Sequence, residues 1–152
     1  MKTWWLFVLC TVVCWGAYVP TIHHGQEALG GRNTALRAFL FVGLAYFLIG
    51  VVVLAYLYQW RPEPLQFTGG GAAISTLAGV LGALGALGVV FALKTGGKPI
   101  YVAPLVFAGA PIVNTVVSMV WNKPAKAPSA WFYVGMALAA GGAALVLRFK
   151  PT

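Results

Sequence analysis

Three groups of residues carry what chemistry this chain has to offer. His23, His24 and Glu27 fall within one short polar stretch, two imidazoles and a carboxylate that could hold a ligand or relay a proton. They follow Pro20 at the edge of an apolar segment, where a histidine pair also serves as a plain interfacial anchor. Cys10 and Cys14 lie four apart on one face of a helix, too constrained to bond to each other and too apolar in setting to bind a metal alone. They read as small packing residues, with a disulfide between two copies as the other reading. Pro104 and Pro111 are followed by Asn114, Thr115 and Ser118. Each proline removes an amide donor and frees a carbonyl about one turn earlier, so this stretch combines a broken hydrogen-bond ladder with polar side chains. No paired carboxylate, metal cluster or nucleophile with a base beside it occurs in the sequence. The chain is therefore not expected to be an enzyme or to bind a cofactor.

The elements that must position these groups are five apolar stretches: Trp4 to Ile22, Phe39 to Trp60, Ala72 to Leu93, Ile100 to Trp121 and Ala130 to Leu147. A membrane helix needs about 20 mostly apolar residues, because no water reaches the bilayer interior to satisfy a free amide. All five qualify. Hydrophobic residues make up 61% of the 152 and charged ones 8%, against about 25% charged in an ordinary soluble domain. The sequence predicts an all-α integral membrane protein, a five-transmembrane-helix bundle forming a single transmembrane domain over residues 1–152.

The formal charge of +8, from ten Lys and Arg against Glu27 and Glu63, would suggest nucleic acid in a soluble protein. Here every basic residue sits in a connection, at a terminus or at a span end, where Lys and Arg anchor helices at headgroups. The predicted partner is the lipid bilayer, with no nucleic acid. Five crossings put Lys2, Arg61, Lys123 and Lys126 on one face and Arg32, Arg37, Lys94, Lys98, Arg148 and Lys150 on the other. The more basic face is cytoplasmic by the positive-inside rule, which gives an outside N-terminus and a cytoplasmic C-terminus. Insertion in both senses is the alternative. Lys2 and Trp4 to Val13 also have the outline of a secretory signal, but a single lysine and no small-x-small site favour a retained first span. With no further targeting sequence, the expected location is a bacterial inner membrane.

The spans differ in character. The second is aromatic, with Phe39, Phe41, Tyr46, Phe47, Tyr56, Tyr58 and Trp60, as suits a lipid-facing helix with headgroup anchors. The third carries Ala78, Gly82 and Ala86 four apart, and the fifth Gly135, Ala139 and Ala143. Such small faces let membrane helices approach closely. These are expected packing faces, within the chain or between chains, and Gly82→Leu is expected to overpack one of them.

The order of motifs resembles a single EamA-type unit of the drug/metabolite transporter superfamily. The resemblance rests on Trp15-Gly16 with Pro20 in the first span, Phe91-Ala92-Leu93-Lys94 closing the third, and Ala103-Pro104-Leu105 through Pro111 in the fourth. Trp131 to Gly135 and Gly141-Gly142-Ala143-Ala144-Leu145-Val146-Leu147 complete it in the fifth. It covers nearly the whole chain. The family's repeat has five helices, and full-length members carry two in inverted orientation. The resemblance therefore implies a small-metabolite permease working by alternating access, completed as a homo-oligomer or by a homologous partner subunit. Substrate-path candidates are Trp15 and Tyr18, Ser75 and Thr76, and Asn114 and Ser118. Two departures shape the expectation. Trp121-Asn122-Lys123-Pro124 stands where many members have a glycine-glutamate pair, and no expected span contains an acid. Neutral or anionic metabolites therefore suit this chain better than cationic drugs. The competing reading is a structural or accessory subunit of a membrane complex, which needs packing faces and charged ends but no intramembrane ionisable group.

Overall fold

A computed structural model of the chain describes residues 3–60, 66–121 and 124–151. Lys2, Arg61, Glu63 and Lys123 of the charge pattern, and Asn122 after the fourth span, lie outside the described residues. Five α-helices follow in order: α1 (Trp4–Leu29), α2 (Thr34–Trp60), α3 (Gly69–Lys94), α4 (Pro99–Trp121) and α5 (Ala130–Arg148). All five are long and apolar enough to cross a membrane, and the described residues contain no strand. This is the architecture of a multi-pass helical membrane protein.

The largest departure from the expected boundaries is at the α1 to α2 connection. α1 runs past Ile22 to Leu29, and α2 begins at Thr34 rather than Phe39. Gln26, Glu27, Ala28 and Leu29 are good helix formers, so hydrogen bonding continues although hydropathy has fallen. The stop comes at Gly30 and Gly31, with φ of 52° and 77°, the left-handed conformation that glycine adopts without a Cβ penalty. Asn33 (φ 59°) completes the turn, and Arg37 Nη1 donates to the Gly30 carbonyl at 3.0 Å. The polar stretch His23–Arg37 is thus mostly helical, and His23, His24 and Glu27 belong to the end of α1 rather than to a connection.

α3 starts three residues early, at Gly69, because Thr68 caps it: its Oγ1 accepts from the Gly71 amide at 3.3 Å. At the other end the Thr95 hydroxyl donates to the Phe91 and Ala92 carbonyls at 2.9 and 3.2 Å, and Gly96 takes φ 102°. α4 corrects a second expectation, since it continues unbroken through Pro104 and Pro111. Proline still withholds the amides that would bond the Ile100 and Phe107 carbonyls, so the interruption is chemical rather than geometric. The Thr115 hydroxyl donates to the Pro111 carbonyl at 2.9 Å.

The single transmembrane domain expected over 1–152 divides by its contacts into two compact units. One holds α1 up to Pro20 together with α4 and α5; the other is Thr21–Gly96. In the first, α4 packs along α5, and Lys150 Nζ sits over the Tyr101 ring at 5.1 Å. In the second, α2 packs along α3, closing on Ala35 and Ala38 from α2 and Ala86, Val89, Val90 and Leu93 from α3, all buried. Gln26 of α1, 6% exposed, donates through Nε2 to the Val90 carbonyl at 3.3 Å. That bond ties the polar end of α1 to α3. Most large apolar side chains of the spans, such as Leu40, Phe47 and Val52, are exposed, which is the natural state of a helix whose solvent is lipid.

Gln26→Leu should cost about 1 kcal/mol, the usual net worth of one hydrogen bond. The expected signature is local. Amide exchange at residues 23–29 should quicken while α4 and α5 stay protected; equal quickening in both units would mean that Gln26 supports more than the end of α1.

Candidate functional site

Trp15 and Tyr18 sit one turn apart on α1 with ring centroids 6.2 Å apart, and Trp15 meets Phe107 of α4 edge-on at 6.1 Å and 80°. This aromatic contact joins α1 to α4 within the first unit. From Phe107, Asn114 lies two turns along α4, about 10.5 Å at 1.5 Å per residue and within about 20° of the same face. Ser118 is one turn further, and both are exposed. Four of the six predicted substrate-path residues therefore belong to one unit, three of them on or near a face that begins at the Trp15–Phe107 contact. Ser75 and Thr76 do not join them, being exposed on α3 in the second unit. Phe107 was not singled out from sequence. Its spacing of seven from Asn114 was the available signal.

The predicted packing residues divide in the same way. Ala78, Gly82 and Ala86 line an apolar groove between α2 and α3 of about 350 Å³, with Phe39, Val42 and Tyr46 on the α2 wall. Of the three only Ala86 is buried, and a Cβ on Gly82 would meet nothing within 4 Å. Within the chain, the overpacking expected of Gly82→Leu meets no neighbour, because the groove is open there; the buried residues of the pair are Ala35 and Ala38 on α2 and Ala86, Val89, Val90 and Leu93 on α3. Gly135 and Ala139 are exposed on α5, with open space around a Cβ at Gly135.

A second, polar pocket of about 290 Å³ lies at the other end of the α2–α3 contact. His23, Gln26 and Glu27 of α1, the Gly30-Gly31 turn, Thr34 of α2 and Lys94 of α3 line it. Glu27 takes up both imidazoles, its Oε1 3.6 Å from His23 Nε2 and its Oε2 3.8 Å from His24 Nδ1. His23 Nδ1 is buried with no hydrogen-bond partner among the described residues. Once α1 is known to continue, His23, Gln26, Glu27 and Gly30 fall at helical spacing on one face. A helix ending at Ile22 leaves Gln26 and Thr34 unmarked and gives Lys94 only the role of a charged helix end. No group of three or more His, Cys, Asp or Glu able to hold a metal occurs among the described residues.

Fold and sites together define a helical multi-pass membrane protein with one aromatic and polar face in its first unit and a polar pocket in its second. No protein-family model, curated protein or solved structure matches the chain.

Proposed function

We propose that this protein is a small-metabolite permease of drug/metabolite transporter type, one five-helix repeat of which a second copy or a homologous partner supplies the other half. The proposal places it in a bacterial inner membrane with its N-terminus outside and its C-terminus in the cytoplasm. The observation that carries it is the Trp15–Phe107 contact, from which Asn114 and Ser118 continue along the proline-bearing helix. An aromatic wall continued along the helix by an amide and a hydroxyl, with the Phe107 carbonyl deprived of its amide partner by Pro111, can bind a polar, uncharged or anionic solute by stacking and hydrogen bonds. Such unsatisfied backbone is tolerated at membrane depth where it lines a cavity or meets another helix. Alternating access would then move the two repeats against each other around this face.

Asn114→Ala is expected to lower uptake at least tenfold, about 1.4 kcal/mol or more of lost solute binding, while membrane expression and helicity stay at wild-type level. The measurement is uptake of a panel of radiolabelled neutral and anionic metabolites into proteoliposomes. Loss of folding in Asn114→Ala would assign the residue to packing. No uptake of any solute by the wild-type chain, alone or with a homologous partner, would favour the accessory-subunit reading. Single-cysteine labelling at Thr68, with Cys10 and Cys14 replaced, reads whether one or both orientations occur.

A further inference from the structure

The α2–α3 pair carries two features that the transport reading does not use, one at each end of its closed contact. Towards the middle of the helices is the apolar groove, about 350 Å³, with Phe39, Val42 and Tyr46 facing Ala78, Gly82 and Ala86. Towards the helix ends is the polar pocket that Lys94 and Thr34 line. Arg37 reaches its rim, bonding the Gly30 carbonyl at 3.0 Å. We propose that this pair is a binding site for one anionic phospholipid, its phosphate held at Lys94 and Arg37 and one acyl chain lying along the groove.

Size selects the occupant of the groove. Ala78 to Ala86 spans eight residues, about 12 Å of helix, so a groove of about 350 Å³ along it averages roughly 30 Å² in cross-section, which suits a single unbranched chain. Its lining is apolar, so it offers nothing to a polar solute. Position then selects the headgroup. Thr34 precedes Phe39 by five residues and Lys94 follows Ala86 by eight, offsets of about 7.5 and 12 Å. The headgroup layer is roughly 5–8 Å deep on each side of the hydrocarbon core, so a lipid whose chain enters the groove carries its phosphate to the level of the pocket.

Charge selects an anion. This end of the unit bears Arg32, Arg37 and Lys94 against Glu27, three cations to one carboxylate. Basic pockets between membrane helices on the cytoplasmic side are suited to anionic headgroups. The site stands whether or not the protein transports anything.

The test uses the full chain, purified in detergent from vesicles of phosphatidylcholine and phosphatidylglycerol in equal amounts, with retained lipid read by native mass spectrometry. About one phosphatidylglycerol per chain is expected, with little phosphatidylcholine. Lys94→Gln should reduce retention about fivefold, the worth of one cation near an anionic surface, and Glu27→Gln should raise it by a similar factor. Gly82→Phe, which has open space to enter, should displace the lipid at unchanged helicity. Equal retention of both lipids would overturn the proposal, as would Lys94→Gln and Glu27→Gln moving retention the same way. Displacement by millimolar inorganic phosphate would overturn it too, by assigning the pocket to a free anion.

Discussion

Aspartate in place of Val90 is expected to take α2 and α3 apart. Val90 has no exposed surface on the helix that packs along α2, and its carbonyl accepts the Gln26 side chain. The nearest cation along the helix, Lys94, is a turn away in the polar pocket, and Gln26 is already engaged. The cost of burying it is about 3 kcal/mol, whether it stays charged, draws water in or takes up a proton. Helix pairing in a bilayer gains nothing from excluding water and rests on packing alone, so a loss of that size removes most of what holds the pair together. The readout is the SDS concentration at which helicity and α2–α3 crosslinking are lost in mixed micelles. A sharp fall is expected for Val90→Asp and a smaller one for Val90→Asn. A wild-type midpoint for the aspartate variant would mean that Val90 faces away from α2.

Ala38→Leu should destabilise the same contact by about 1–3 kcal/mol through overpacking, whereas Gly82→Leu should change stability by no more than about 0.5 kcal/mol. The two substitutions add side chains of one size to the same pair of helices. Ala38 is buried on α2, and a larger group there must displace what covers it. Gly82 lines the open groove, where even a Cβ has no protein neighbour within 4 Å, so the added leucine pushes on no other helix. Midpoints in the same SDS titration should separate the pair clearly. The reverse order, with Gly82→Leu the more damaging, would show the small-residue stripe to be a tight contact after all, made with a partner other than α2.

The contrast between Ala38 and Gly82 shows where sequence pattern stops. The spacing of Ala78, Gly82 and Ala86 marks a face on which another helix could come close, but spacing does not say which partner comes or where along the stripe the two axes cross. Two rods that cross touch over only a turn or two, and here burial along α3 begins at Ala86 and runs to Leu93, while Ala78 and Gly82 stay exposed. The extent of α1 was hidden for a different reason. Hydropathy marks where a chain leaves hydrocarbon, whereas a helix ends where its backbone is stopped. Between Ile22 and Gly30 those two events are seven residues apart, enough to carry Glu27 from a supposed connection onto a helix face shared with His23. The pocket that Lys94 and Thr34 complete required three segments to meet, and nothing local to any one of them announces the others.

What the sequence determined by itself was the solvent and the element count: five unbroken runs of about 20 apolar residues are helices, because lipid allows only helices or closed barrels and a barrel strand is about half as long and alternates. The tertiary structure alone decided which of the marked residues meet. Trp15 reaches Phe107, placing Asn114 and Ser118 in its unit, while Ser75 and Thr76 belong to the other. Apolar side chains are solvated equally well by lipid and by one another, so composition cannot choose among helix pairings. Shape complementarity at a few small residues chooses, and it exists only once the helices are set side by side.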